Sequence, residues 1–114
     1  MNQVLTNAVR QMMASVNPVR RLRKKFSLQA IQLAENAKLS EQTIWKLETG
    51  ATTPRVETLY KIAGALGVPG ETLISCYYQW MSALKGGSPE TILRTVSADP
   101  NLYIKGLGGA DADQ

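Results

Sequence analysis

The sequence has 114 residues, 44% of them hydrophobic and 19% charged, which fits one small globular domain with a short extension at either end. The absence of histidine excludes a Ser–His or Cys–His catalytic site, a histidine-ligated metal and a histidine pH switch. The single cysteine, Cys76, excludes an internal disulfide and a multi-cysteine zinc site. Its apolar neighbours favour a packed, inert thiol.

Basic residues concentrate at the front of the chain, although the formal net charge is only +4. Residues 1–26 contain six basic and no acidic side chains, whereas residues 71–114 contain three basic and five acidic ones. This asymmetry predicts a polyanionic partner near the N-terminal part of the chain. No apolar run approaches the roughly 20 residues that cross a bilayer, and the first residues lack a secretory signal. We therefore expect a cytoplasmic protein of bacterial type, without membrane contact.

The spacing of glycine and proline predicts an all-α chain, because these residues recur at helix-length intervals and no stretch alternates like a strand. Helices are predicted over 3–16, 18–26, 28–37, 41–49, 55–66, 70–84 and 89–96. Asn17, Ser40 and Ser88 are the predicted N-caps, and Gly50 and Gly67 follow the last helical residues of two helices. Residues 102–105 are a weaker candidate for an edge strand across a dimer.

Two of the predicted helices, 28–37 and 41–49, are short and joined by a turn of three residues. The second has a polar outer face and is followed by a threonine-rich segment, which is typical of a helix-turn-helix. From Val19 to Leu73 the chain resembles the XRE-type family, which includes the repressor and Cro proteins of lambdoid phages. The matching residues are Leu22, Arg23, Leu33, Ala34, Glu35, Ser40, Ile44, Leu47, Glu48, Thr49, Gly50, Pro54, Glu57, Thr58, Leu59, Ile62, Ala63, Ala65, Leu66, Gly67, Val68 and Leu73.

This resemblance implies a five-helix, lambda-repressor-like domain that binds double-stranded DNA and regulates transcription. We expect this DNA-binding domain at 17–85, preceded by an amphipathic helix at 1–16. A C-terminal helix and extension at 86–105, a possible dimerisation segment, and a flexible acidic tail at 106–114 are expected to follow. No cofactor, metal or catalytic activity is implied.

The resemblance places the predicted helix 41–49 in the major groove of DNA, with the residues after its cap at the base edges. These base-reading candidates are Glu41, Gln42, Thr43, Trp45 and Lys46. Helical geometry agrees, because Gln42 and Lys46 share the outward face at positions i and i+4. Gln42 suits adenine, Lys46 guanine and Glu41 cytosine. Trp45 either contacts a thymine methyl or sugar, or packs against a neighbouring helix. The alternative for the whole face is a solvated helix surface without a ligand.

Phosphate contacts are expected at the start of the helix 28–37, in the segment after the helix 41–49, and on the basic stripe of the helix 18–26. The candidates are Gln29, Gln32, Thr49, Thr52, Thr53, Arg55, Arg20, Arg21 and Lys24. Arg23 and Glu48 occupy the positions of an ion pair that stabilises the fold in this family. Two residues depart from the family pattern: Ala30 replaces a phosphate-binding glutamine, and Lys38 replaces a turn glycine. A positive φ at Lys38 would cost on the order of 1 kcal/mol.

The function implied is that of a repressor that binds an inverted-repeat operator as a homodimer and acts at the bacterial nucleoid, from a chromosome, phage or plasmid gene. Dimerisation is expected through the 70–96 region, with the contact residues Leu73, Tyr77, Tyr78, Trp80, Met81 and Leu84. One alternative is an antitoxin whose N-terminal helix or segment from Ser88 binds a toxin while it autoregulates its promoter. Another is an architectural DNA-binding protein of low specificity. A protein partner, a toxin or an antirepressor, remains an open alternative.

Overall fold

Seven α-helices and one 3-10 turn make up the fold in the computed structural model, which describes residues 3–107, with side chains from residue 7 onward. The helices are α1 (Gln3–Ser15), α2 (Pro18–Lys25), α3 (Ala30–Ala37), α4 (Glu41–Thr49), α5 (Val56–Leu66), α6 (Gly70–Gly86) and α7 (Pro89–Ala98), and the 3-10 turn is Leu102–Ile104. No strand occurs over the described range, so the predicted all-α class is confirmed. None of the described helices is both long and apolar enough to cross a membrane.

The predicted helix caps are present in the structure. The Asn17 side-chain oxygen accepts hydrogen bonds from the backbone of Val19 at 2.9 Å and of Arg20 at 3.1 Å. Ser40 and Ser88 accept a bond from the backbone three residues later, at 3.0 and 3.2 Å. These bonds satisfy N–H groups that a helix start leaves without a partner, which explains why the helix starts follow the sequence so closely.

Helix α6 lies at the centre of the core, where it packs against α5, α1, α2 and the 3-10 turn. This packing corrects the expected dimer contacts. Leu73, Tyr77, Trp80 and Met81 are buried within the monomer, because neighbouring helices cover both apolar faces of α6. Of the expected dimer contacts, only Tyr78 and Leu84 keep part of their side chains accessible.

The helices at the two ends of the described chain pack against each other. Met13 of α1 and Val16 in the turn after it are buried, as are Ile92 and Val96 of α7, and all four belong to the same core as the central helices. The indole nitrogen of Trp80 donates a 2.7 Å hydrogen bond to the carbonyl of Met13 and so joins α6 to the end of α1. The N-terminal helix therefore contributes to the core of the domain.

The segment after α7 differs from the expected edge strand. Tyr103 and Ile104 are consecutive and both buried, whereas successive residues of a strand point to opposite faces. The 3-10 turn brings both side chains onto the side of α2 and α6. Leu107 is also buried, so the core reaches the beginning of the predicted 106–114 tail, and the rest of that tail lies outside the described residues.

Candidate nucleic-acid interface

Helices α3 and α4 are joined by a tight turn of three residues, 38–40. Lys38 ends α3 in the left-handed conformation, with φ 59°. The backbone N–H groups of Lys38 and Leu39 donate to the carbonyls of Glu35 and Ala34, at 3.2 and 2.9 Å. This pattern closes a helix and favours glycine, so Lys38 adopts the backbone geometry expected of the turn glycine.

Helix α4 has one buried side and one accessible side. Ile44, Leu47 and Glu48 are buried against the rest of the domain. The five predicted base-reading residues all reach the surface: Glu41, Gln42 and Trp45 are exposed, and Thr43 and Lys46 are half-buried. The structure therefore brings these five side chains together along the outer side of one helix.

Two of these five side chains have a distinctive environment. Trp45 leaves 60% of its surface exposed. It is therefore not packed into the monomer, as the expectation of packing against a neighbouring helix required. The hydroxyl of Thr43 lies 2.8 Å from the hydroxyl of Ser40, the N-cap of the same helix. The Thr43 hydroxyl thus already has a hydrogen-bond partner at the N-cap of α4, whereas Trp45 presents a large apolar ring to solvent.

The rear of α4 is held by buried polar groups of two other helices. The carbonyl of Leu47 accepts hydrogen bonds from the Asn17 side-chain amide at 3.0 Å and from the Tyr77 hydroxyl at 2.6 Å. A helix leaves its last carbonyls without an internal partner, and burial makes such an unmet group costly. These two bonds therefore satisfy Leu47 and fix the C-terminal end of α4.

Arg23 and Glu48 form an ion pair between α2 and α4. Nε of Arg23 lies 2.6 Å from one carboxylate oxygen of Glu48, and Nη2 lies 2.9 Å from the other. A third guanidinium nitrogen donates to the carbonyl of Leu28 at 3.0 Å, so the same side chain also holds the segment before α3. The hydrogen bond to Glu48 raises the pKa of Arg23, with burial acting in the opposite direction. Glu48 itself is only 6% exposed.

The segment 51–55 after α4 is held in place by α6. The turn at Gly50, with φ 73°, packs so closely on α6 that a Cβ there would lie 2.6 Å from Leu84 and 2.9 Å from Trp80. Farther along, Nζ of Lys85 lies 3.4 Å from the hydroxyl of Thr53, and the Tyr78 hydroxyl donates to the carbonyl of Pro54 at 3.4 Å. The predicted phosphate contacts Thr49, Thr52, Thr53 and Arg55 are all exposed.

The start of α3 carries the other predicted phosphate contacts of this surface. Gln29 and Gln32 are both exposed. The side-chain oxygen of Gln32 accepts a 2.7 Å hydrogen bond from the backbone of Gln29, which caps the helix. The Gln32 amide group remains a donor on the surface.

A helix-turn-helix family model matches residues 19–73, a range that contains α2 without its first residue and the whole of α3 to α5, including the α3–turn–α4 unit. The chain contains a helix-turn-helix domain of the XRE type over these residues. Such a domain is that of a DNA-binding transcription regulator. No curated protein and no solved structure matches the chain.

In this helix-turn-helix protein the basic stripe of α2 divides into two parts. Arg20 points toward α4, where its guanidinium lies 3.8 Å from Glu48. Arg21 instead donates a 2.5 Å hydrogen bond to the side chain of Asn101, near the 3-10 turn. Together with Lys24 and Lys25, Arg21 lines a groove of about 390 Å³ on that side of the domain. The structure therefore does not bring all the expected α2 phosphate contacts onto one surface.

Sequence reasoning missed Lys85, the basic residue beside Thr53. It lies 32 positions farther along the chain, in the last turn of α6, and no local signal connects the two residues. Only the close packing of α6 on the turn at Gly50 brings them together. Within the described residues, no cluster of acidic or cysteine side chains has the composition of a metal site.

Proposed function

We propose that this regulator is a repressor that reads a specific operator through the major groove, with the outer side of α4 at the base edges. One observation carries this proposal: α4 is fixed from behind by buried hydrogen bonds while the side that holds Gln42 and Lys46 stays accessible. A rigid helix with an open polar side is what direct readout of bases requires. A repressor of this kind acts by occupying a promoter at the bacterial nucleoid.

The base contacts we assign follow from the donors and acceptors on that side. Gln42 forms a bidentate pair with adenine, Lys46 donates to guanine O6 or N7, and Glu41 accepts from cytosine N4. The exposed ring of Trp45 contacts a thymine methyl or a sugar. Thr43 contributes less, because its hydroxyl is bonded to Ser40.

Phosphate contacts on both sides of α4 would fix the register of the protein on the duplex. On one side we assign Gln29 and Gln32, at the start of α3. On the other side we assign Thr49, Thr52, Thr53 and Arg55. Arg20 lies close to Glu48 of α4 and is assigned to the same set. Support is weaker for Arg21 and Lys24, which lie toward Asn101.

A dimer is part of this proposal, since one domain makes few base contacts and dimers read two half-sites. We assign its contact to an apolar surface beside the segment 51–55, formed by Val56 and Tyr60 of α5. Val56 and Tyr60 are 47% and 46% exposed and lie one helical turn apart. An exposed apolar pair of this size is a common mark of a protein contact. Tyr60→Glu would place a charge in this surface and is expected to shift the protein to monomers in sedimentation velocity.

The antitoxin alternative is less well supported, because its proposed toxin-binding elements already have partners. The apolar residues Met13 of α1 and Ile92 of α7 are buried in the same core, where the two helices pack together. A toxin that bound either helix through this apolar surface would have to separate them. The repressor hypothesis does not require α1 and α7 to separate.

Selection of bound duplexes from a random DNA pool, at about physiological salt, tests the proposal. An inverted repeat with half-sites about 10 bp apart is the expected result. Binding without any enriched sequence would support the architectural alternative instead. Failure to bind any duplex would overturn the repressor assignment and leave a protein partner as the main ligand.

A further inference from the structure

A groove is lined by residues of α1, of the C-terminal half of α4 and of the end of α6, together with the start of α7. Its volume is about 890 Å³. Its lining includes Trp45 and Thr49 of α4, Leu84 and Lys85 of α6, and Arg10 of α1. Among the described residues that line it there is no acidic side chain, so its two charged groups are both positive.

We propose that this groove is a second binding surface for the DNA backbone, in which Lys85 and Arg10 contact phosphates next to the bases read by α4. The proposal rests on the assignment of α4 as the recognition helix, the helix that contacts the base edges. It adds a ligand site on α6 and α1, outside the segment 19–73 that the family model matches.

The position of Lys85 supplies the first argument. Its ammonium group lies 3.4 Å from the hydroxyl of Thr53, which we assign as a phosphate contact. An ammonium group has three donors and a threonine hydroxyl has one, so both can donate to the oxygens of a single phosphate. Two elements that are distant in the sequence thus present adjacent donors on the surface that follows α4.

Rigid support for this pair supplies the second argument. The turn at Gly50 packs directly on Leu84 and Trp80, and Tyr78 is bonded to the carbonyl of Pro54. The last turns of α6 and the segment 51–55 therefore form one unit. A duplex that is bound through α4 and Thr53 would lie beside Lys85 without any rearrangement of the domain.

The lining of the groove supplies the third argument. Leu84, Pro89 and Ile92 give it an apolar part, while Arg10 and Lys85 give it positive charge. The DNA backbone has the same alternation, because each deoxyribose presents an apolar surface between two phosphates. The exposed ring of Trp45 lines the groove, and Trp45 is also one of the five base-reading residues of α4. The two binding surfaces are therefore continuous.

The experiment compares the salt dependence of operator binding for wild type, Lys85→Gln and Arg10→Gln, with Lys61→Gln as the matched control. Lys61 is an exposed lysine of α5 outside the groove lining. Loss of one phosphate contact reduces the slope of log K against log salt by about 0.9. The affinity ratio of wild type to variant should therefore change by about 3.5-fold between about 50 and about 200 mM salt. Lys61→Gln should leave the slope unchanged.

Neutral methylphosphonate linkages, introduced one at a time into the operator, identify the phosphate involved. At the phosphate that Lys85 contacts, the substitution should weaken wild type but have little further effect on Lys85→Gln. If both variants had the same slope of log K against log salt as wild type, this proposal would be overturned. If Lys46→Ala still lost operator binding in that case, the assignment of α4 as the recognition helix would stand. If wild type bound no duplex, both proposals would fall. Far-ultraviolet circular dichroism checks that each variant is folded.

Discussion

The hydroxyl of Tyr77 donates a 2.6 Å hydrogen bond to the backbone carbonyl of Leu47 and so connects the central helix α6 to the end of α4. Tyr77 is fully buried, and burial raises its pKa, so the hydroxyl remains protonated and acts as a donor. The same carbonyl also accepts a bond from Asn17, the N-cap of α2. The orientation of α4 in the domain is therefore determined from inside the core.

Tyr77→Phe is expected to lower the free energy of unfolding by about 1–2 kcal/mol, because it removes one of the two donors to a buried carbonyl. Chemical denaturation measures this loss. Tyr103→Phe is the control, since Tyr103 is also buried but its hydroxyl has no hydrogen-bond partner among the described residues; its effect should stay below about 0.5 kcal/mol. Equal effects of the two substitutions would show that the Tyr77 hydroxyl does not stabilise the domain.

Arg23→Met is expected to destabilise the domain by about 3 kcal/mol, because it leaves the buried carboxylate of Glu48 without its bidentate partner. The double variant Arg23→Met with Glu48→Met should recover a large part of that loss, since no buried charge then remains unpaired. Chemical denaturation of the two single variants and the double variant gives the coupling energy. Strictly additive effects would contradict a specific ion pair at this position.

Local signals in the sequence predict the helix ends well. Asn17 and Ser40 are polar caps that act on residues two or three positions away, and Gly50 ends α4 through its own backbone conformation. Each signal works within one helical turn and needs no knowledge of the tertiary fold. The accessible side of α4 can be predicted in the same way, because the apolar residues Ile44 and Leu47 determine which side is buried.

The contacts of α6 could not be predicted in this way, because they depend on which helices cover it. Trp80 and Met81 have the apolar pattern of a dimer contact and of a core residue alike. Their burial depends on α1, whose carbonyl at Met13 accepts the Trp80 hydrogen bond across 67 positions. The pairing of Lys85 with Thr53 likewise requires the fold to be known.

Gly50→Ala is expected to destabilise the domain by about 3 kcal/mol. About 1–2 kcal/mol comes from the left-handed backbone at φ 73°, and the rest comes from overlap with Leu84 and Trp80. Gly67→Ala is a matched control, because Gly67 has φ 72° but no atom within 4 Å of an added Cβ. It should cost only the backbone part. Thermal and chemical denaturation measure both variants, and a Gly67→Ala loss as large as that of Gly50→Ala would show that the packing on α6 contributes nothing.

Gln42→Ala and Lys46→Ala should each weaken binding to the selected operator by about 1–3 kcal/mol and relax the preference at one base pair. Lys24→Ala, on the Asn101 side of α2, is expected to lower affinity for cognate and scrambled duplexes alike. Fluorescence anisotropy with single-base operator variants distinguishes the two patterns. If Gln42→Ala and Lys46→Ala both bind the operator with wild-type affinity, α4 is not the recognition helix.

Lys38→Gly is expected to raise the stability of the domain, since Lys38 occupies a left-handed conformation that costs a non-glycine residue about 1 kcal/mol. For a domain of about 100 residues this corresponds to an increase of about 4–8 °C in Tm. Lys38→Ala is the control, because it removes the same exposed side chain but keeps the unfavourable backbone conformation. Calorimetry on the three proteins separates the two effects. If Lys38→Gly were no more stable than Lys38→Ala, the backbone conformation that closes α3 with two hydrogen bonds would not strain residue 38, and the prediction would be wrong.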